Sequence, residues 1–92
     1  MRAQGIENIK ELYDLVFIGK GAFGQVYKAV ERSTNHNIYA IKEISKHLLI
    51  QEEKATENLK REIINMMNLE HPNIVKIHKV YETSKNYYLV IE

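Results

Sequence analysis

Cysteine and tryptophan are absent from this 92-residue sequence, and proline occurs once. Without cysteine the chain can form neither a disulfide framework nor a thiolate metal site. The four histidines, His36, His47, His71 and His78, lack the spacing of a metal-ligand set. The sequence therefore predicts no metal-binding residue of its own, and it is compatible with a reducing compartment.

Long apolar runs and an excess of charge are also missing. No run approaches the ~18 apolar residues needed to cross a bilayer, and the first ten residues lack a signal-peptide core. Thirteen Lys and Arg nearly balance twelve Asp and Glu, which leaves a formal net charge of +1. Nucleic acids and anionic membranes attract a stronger positive surface than this. We expect an intracellular, cytoplasmic protein that binds neither.

The composition is that of a folded chain, with 45% hydrophobic and 27% charged residues. Its length suffices for one small domain with a marginal core. Alternating apolar and polar residues, separated by turn residues, predict strands. The predicted strands are Tyr13 to Ile18, Gln25 to Glu31, Ile38 to Ile44, Ile74 to Glu82 and Tyr87 to Glu92.

One helix is expected between Lys46 and Leu69, where helix-forming residues predominate. Leu59, Ile63 and Met66 recur there at helical spacing, after a looser turn, and the helix ends before Pro72. The element order is β-β-β-α-β-β. We therefore expect an α+β fold, a five-stranded, mainly antiparallel sheet with one packed helix.

The cluster from Gly19 to Gly24 has the pattern GxGxxG. Dinucleotide-binding folds use the same spacing, but there the glycines open a helix, whereas here strand residues follow. Glycines between two strands form a flap whose N–H groups can approach phosphates closely. An ordinary glycine-rich hairpin is the alternative.

Lys42 lies on the strand face shared with Ile38, Ala40 and Ile44, which is otherwise apolar. A lysine there requires an anion within reach, either a carboxylate or a ligand phosphate. Glu62, on the predicted helix, is the candidate carboxylate. The alternatives are a lysine whose ammonium reaches water and a fully solvated glutamate.

Five elements together resemble the N-terminal lobe of protein kinases, in order and in spacing. The resemblance covers Tyr13 to Glu92 and implies a partial kinase domain at residues 13–92, after an N-terminal extension at residues 1–12. The elements are GxGxxGxV from Gly19 to Val26, AIK from Ala40 to Lys42, Glu62, HPNIV from His71 to Val75, and YLVIE from Tyr88 to Glu92.

The resemblance implies a role for each matching residue. The glycine loop, with Phe23 at its tip, would cover the nucleotide phosphates, and Lys42 would bind the α- and β-phosphates while pairing with Glu62. Adenine would lie under Ile18, Val26 and Ala40, next to the gatekeeper Ile91 and the hinge carbonyl of Glu92. Met66 and Ile77 would belong to a hydrophobic column between the lobes. The implied ATP-binding residues are Ile18, Gly19, Lys20, Gly21, Ala22, Phe23, Gly24, Val26, Ala40, Lys42, Ile91 and Glu92, and the implied catalytic residues are Lys42 and Glu62.

This resemblance implies that the parent protein transfers the γ-phosphoryl of ATP to Ser/Thr hydroxyls of a protein substrate. The amino-acid sequence is similar to those of the calcium- and calmodulin-dependent group of kinases. The HRD and DFG motifs are missing, so we expect truncation at the hinge, with the Mg²⁺ ligands in the missing C-terminal lobe. The 92 residues alone should be catalytically incompetent. The alternative is a non-catalytic truncated or pseudokinase-like binding module, although the intact Lys42, Glu62 and glycines favour a catalytic parent.

Overall fold

The computed structural model describes residues 3–21, 24–51, 57–58, 61 and 76–92. In these residues a 3₁₀ helix spans Ile9–Glu11 and helix α1 spans Lys46–Gln51. The strands are β1 at Gln4–Gly5, β2 at Tyr13–Lys20, β3 at Gln25–Glu31, β4 at Ile38–Ser45, β5 at Ile77–Glu82 and β6 at Asn86–Ile91.

All six strands form one sheet in the order β1-β5-β6-β4-β3-β2. Every pairing is antiparallel except the short parallel ladder between β1 and β5. The predicted α+β class is confirmed, and the sheet has one strand more than the five expected. The β3 bounds agree with the prediction, while β2 continues two residues past Ile18 into the glycine cluster.

The helical region begins at Lys46, directly after β4. The Nζ atom of Lys46 donates to Glu82 Oε2 at 2.5 Å and to the carbonyl of Thr83 at 2.8 Å, and it lies 4.9 Å from the centre of the Tyr87 ring. These contacts fix the start of α1 to the turn between β5 and β6. The rest of the predicted helix, with Glu62 and Met66, lies outside the described residues, as does His71 to Val75. No helix in the described part of the chain is long and apolar enough to cross a membrane.

The two faces of the sheet carry different side chains. Directly opposed residues on paired strands point to the same side, so the register assigns each residue to a face. We call them the lysine face, which carries Lys42, and the tyrosine face, which carries Tyr81 and Tyr88. The buried cluster of the lysine face is Ile44, Leu49, Ile77, Val80 and Leu89. The buried cluster of the tyrosine face is Ile9, Tyr13, Ala29, Ile41, Tyr81, Tyr88 and Val90.

Ile6 and Ile9, which precede the first predicted strand, pack onto the tyrosine face. The amide of Ile6 donates to the carbonyl of Glu82 at 2.9 Å, which extends the β1–β5 ladder. Asn8 caps the 3₁₀ helix by accepting from the amide of Lys10 at 3.0 Å. Ile9 then inserts into the cluster and is only 3% exposed. No element was predicted here, although Asn8 and the spacing of Ile6 and Ile9 are a signal for a capped turn with one apolar side.

Candidate functional site

Lys42 lies at the centre of β4 on the lysine face, with its side chain half-buried. Val26 on β3 and Leu89 on β6 are its direct cross-strand partners. Ala40 and Ile91 oppose each other one pair further along the same face. The fold thus brings four residues singled out from the sequence, Val26, Ala40, Lys42 and Ile91, onto one continuous surface.

The described glycines of the cluster lie at one end of this surface. Gly19 opposes Val26 at the end of β2, and the amide of Gly21 donates to the carbonyl of Gly24 at 2.6 Å. A Cβ placed on Gly21 would lie 3.4 Å from Cε of Lys42 and 3.7 Å from Cγ2 of Val26. Because Gly21 has no side chain, the space beside the lysine stem stays clear.

Gly24 is required for a different reason. A Cβ at this position would lie 2.9 Å from the backbone carbon of Glu43 and closer still to its oxygen. A Cβ at Gly19 would meet nothing within 4 Å. None of the four glycines, all of which are described, has a positive φ, so these are requirements of space and not of backbone conformation.

Within the described residues, no carboxylate forms an ion pair with Lys42. The predicted partner Glu62 lies outside them, and so do Ala22 and Phe23 of the glycine loop. The pairing of Lys42 with Glu62 therefore stays a prediction. The described surroundings of Lys42 are glycine backbone and apolar side chains.

Ile18, Ile77 and Glu92 were also predicted, and they lie on or beside the lysine face. Ile18 occupies the bulge between Phe17 and Gly19 and is 60% exposed. Ile77, predicted for the hydrophobic column, is buried and opposes Ile91. At the end of β6 the Glu92 amide donates to the carbonyl of Lys76 at 3.2 Å, and its carboxylate lies 3.7 Å from Nδ1 of His78.

A hydrogen-bonded cluster on the tyrosine face, behind Lys42, was missed by the sequence analysis. The Tyr27 hydroxyl donates to Glu43 Oε2 at 3.0 Å and also lies 2.5 Å from Gln25 Oε1. The side-chain amide of Asn86 donates to Glu43 Oε1 and to the Tyr88 hydroxyl, both at 3.1 Å. Burial, followed by the bond to Glu43, raises the pKa of Tyr27 to about 12. The available signal was the strand register, since β3, β4 and β6 were all predicted.

A cavity of about 530 Å³ also opens on the tyrosine face, beside Leu12, Arg32 and Tyr81. It lies on the opposite side of the sheet from Lys42, and none of the predicted site residues lines it. Arg32 at its edge is already paired with Asp14 at 2.9 Å. The convergence of predicted residues is therefore on the lysine face, which is the candidate functional site.

Comparison with known families matches residues 13–92 to the protein kinase domain. The chain belongs to the protein kinase family. The kinase resemblance found in the sequence is confirmed, and the observed sheet with its helical region between β4 and β5 is compatible with a kinase N-terminal lobe. Protein kinases as a family use ATP and Mg²⁺.

Similar curated proteins are serine/threonine kinases. The chain is 40% identical over 88 residues to calcium-dependent protein kinase 5 of Plasmodium berghei (strain Anka), an alignment that covers 94% of the chain and 15% of that kinase. It is 40% identical over 76 residues to the serine/threonine-protein kinase polo of Drosophila melanogaster, covering 83% of the chain and 13% of the relative. It is 42% identical over 76 residues to CBL-interacting serine/threonine-protein kinase 15 of Arabidopsis thaliana, covering 83% and 18%. The chain thus spans less than a fifth of each of these kinases.

Proposed function

We propose that residues 13–92 form the ATP-binding lobe of a serine/threonine protein kinase that transfers the γ-phosphoryl of ATP to protein hydroxyls. One observation carries this proposal: Gly21, Val26 and Lys42 converge on one face, and the missing Cβ of Gly21 keeps a space open beside the lysine stem. A side chain at position 21 would fill that space. The residues present therefore fit a phosphate-bearing ligand.

The chemistry of the face divides into a polar end and an apolar end. At the polar end, the Lys42 ammonium would neutralise the α- and β-phosphates, with backbone N–H groups of residues 19–24 above them. At the apolar end, Val26, Ala40 and Ile18 would pack on the adenine ring. Ile91 would limit the depth of the adenine site, and the carbonyl of Glu92 would accept from the adenine amino group.

Catalysis needs more than this face. The 92-residue sequence contains no HRD or DFG tripeptide, the motifs that supply the catalytic base and a Mg²⁺-binding Asp in kinases. Mg²⁺ neutralises the charge of the transferred phosphoryl group, and we expect its ligands outside these 92 residues. Glu62 would hold Lys42 in its phosphate-binding position. We therefore expect a polypeptide of these residues alone to bind ATP weakly and to catalyse no phosphoryl transfer.

The serine/threonine specificity rests on the similar proteins, whose names place them among calcium-dependent, polo and CBL-interacting kinases. The protein substrate would be bound by residues beyond this lobe. The lysine face does not determine which substrate sequence is recognised, because its groups that would contact the nucleotide are backbone amides, one lysine and apolar side chains.

Binding of Mg-ATP can be tested by NMR titration of the ¹⁵N-labelled chain up to about 10 mM nucleotide, the range expected for half of a site. We expect concentration-dependent shifts of the Gly21, Val26 and Ala40 amides. Lys42→Met should weaken binding at least about fivefold, because it keeps the bulk of the stem without the ammonium. Lys79→Met is the matched control, since Lys79 is exposed and follows the register of the tyrosine face.

Two outcomes would contradict the proposal. Nucleotide addition that leaves the Gly21, Val26 and Ala40 amides unchanged would show that the lysine face is not the ATP site. Equal weakening by Lys42→Met and Lys79→Met would show a general attraction of lysines for polyphosphate. Both variants should retain the amide dispersion of the folded chain, because neither lysine belongs to a buried cluster.

A further inference from the structure

Lys42 and Glu43 are neighbours in β4, and their side chains project to opposite faces of the sheet. On the lysine face, Cε of Lys42 approaches Gly21. The backbone carbonyl of Glu43 meets Gly24, where a Cβ would come within 2.9 Å of the carbonyl carbon. The 2.6 Å hydrogen bond from the Gly21 amide to the Gly24 carbonyl thus joins two glycines that both lie next to this dipeptide.

The Glu43 carboxylate is itself held from two neighbouring strands. Tyr27 on β3 donates to one of its oxygens at 3.0 Å, and Asn86 at the start of β6 donates to the other at 3.1 Å. Hydrogen bonds to a charged acceptor in a half-buried position are stronger than neutral ones. The ring of Phe17 on β2 packs edge-on against Tyr27, with centroids 6.3 Å apart, so that the contacts of the cluster extend over β2, β3, β4 and β6.

A residue whose side chain is held by hydrogen bonds on one face of a sheet also restricts the position of its own peptide group. A turn that packs against this peptide group is then restricted as well. The Gly24 backbone lies so close to the Glu43 carbonyl that a Cβ on Gly24 would overlap it, and we therefore expect a shift of this peptide to displace Gly24. Gly21 follows, because its amide is bonded to the carbonyl of Gly24. The cluster behind the sheet is therefore mechanically connected to the glycine turn in front of it.

We propose that Glu43 is a positioning residue for the glycine turn: its carboxylate, clamped by Tyr27 and Asn86, fixes the peptide on which Gly24 rests and so holds Gly21 over Lys42. The proposal rests on the proposed ATP-binding function for its purpose. The geometric part does not, since it concerns only contacts between residues of the chain.

The test is the hydrogen-exchange rate of the Gly21 amide in the nucleotide-free, ¹⁵N-labelled chain. In Glu43→Ala we expect Gly21 to exchange at least about tenfold faster, while amides at the far end of the sheet, such as Leu15, keep their rates. Glu43→Gln keeps one acceptor oxygen and should restore part of the protection. Asp14→Asn, which removes the exposed ion pair with Arg32 at the opposite end of β2, is the matched control and should leave Gly21 unchanged.

A purely structural role for Glu43 would accelerate exchange throughout the sheet, and that outcome overturns the proposal, as does an unchanged Gly21 rate. If Glu43→Ala does not fold, Tyr27→Phe decides, because it removes one donor and keeps the ring packed against Phe17. In Tyr27→Phe, the Gly21 amide must then exchange faster than in the unsubstituted chain while Leu15 keeps its rate, or the proposal fails.

Mg-ATP titration of the same variants distinguishes the role of Glu43 from the proposed binding of ATP. If the chain binds Mg-ATP, Glu43→Ala should weaken binding several-fold, Glu43→Gln less, and Asp14→Asn not at all. A chain that binds no Mg-ATP in any form would refute the proposed function, while the exchange rates would still decide the role of Glu43.

Discussion

The two faces of the sheet differ in how they are covered. The tyrosine face is closed by residues close in sequence to the sheet itself, with Ile9 inserted among aromatic rings and polar groups paired in the Tyr27–Glu43–Asn86 cluster. On the lysine face, the buried cluster lies on β4, α1, β5 and β6, while Val26, Ala40 and Lys42, towards β3, are only half-buried in the described part of the chain. Among the described residues, both faces therefore contribute a buried cluster to the sheet, and the half-buried surface lies around Lys42.

The largest expected effect comes from uncovering the tyrosine face. Ile9→Ala should lower the free energy of unfolding by about 2 to 5 kcal/mol, because it leaves a cavity beneath the 3₁₀ helix. Ile38→Ala is the matched control, since Ile38 is 63% exposed, and should cost less than about 1 kcal/mol. Urea unfolding followed by circular dichroism measures both. Similar losses in the two variants would show that the N-terminal segment contributes nothing to the core.

A smaller loss of stability is expected for one of two glycines on the lysine face. Gly24→Ala should destabilise the chain by about 1 to 3 kcal/mol, because the new Cβ collides with the Glu43 backbone, which is fixed in β4. Gly19→Ala should stay within about 0.5 kcal/mol, since a Cβ there meets nothing. Thermal melts of both variants provide the comparison. Equal melting temperatures would mean that β4 shifts to accommodate the new Cβ at position 24 and that the glycine turn does not pack tightly against β4.

Most of the sheet was predictable because its strands alternate in period two and are separated by clear turn residues. The alternation also placed Ala40 and Lys42 on one face, which the structure confirms. The short β1 was not predictable, since a two-residue parallel strand has no periodicity to detect. Its position depends on β5, which lies more than 70 residues later in the chain.

The candidate site was predictable to a similar extent and for similar reasons. A glycine pattern and a lysine on an apolar strand face are local features, so Gly21 and Lys42 could be selected from the sequence. The cluster behind them was not, because Tyr27, Glu43 and Asn86 are far apart in the chain and each has the composition of an ordinary surface residue. Only the strand register brings them within hydrogen-bonding distance.

The smallest effect is a pH dependence that arises from the tyrosine face. Burial raises the pKa of Tyr13, Tyr27 and Tyr88 above the ordinary value near 10, and the pKa of Tyr27 rises to about 12. A raised pKa means that the folded chain holds these protons more tightly than the unfolded chain does. The resulting stability is therefore complete below pH 10 and is lost as the pH rises from about 10 through 12.

Absorbance at 295 nm, which follows tyrosinate formation, measures this difference directly. In the folded chain the three tyrosines should ionise later than in the chain unfolded by urea, so the two titration curves separate between about pH 10 and 12. Tyr27→Phe should narrow the separation, because it removes one delayed proton while keeping the ring contact with Phe17. Tyr27 gains its shift from burial and from the Glu43 carboxylate, so Glu43→Gln should narrow the separation less than Tyr27→Phe. Folded and unfolded curves that coincide would show that the tyrosine face is open to water, and the contrast between the two faces would then be lost.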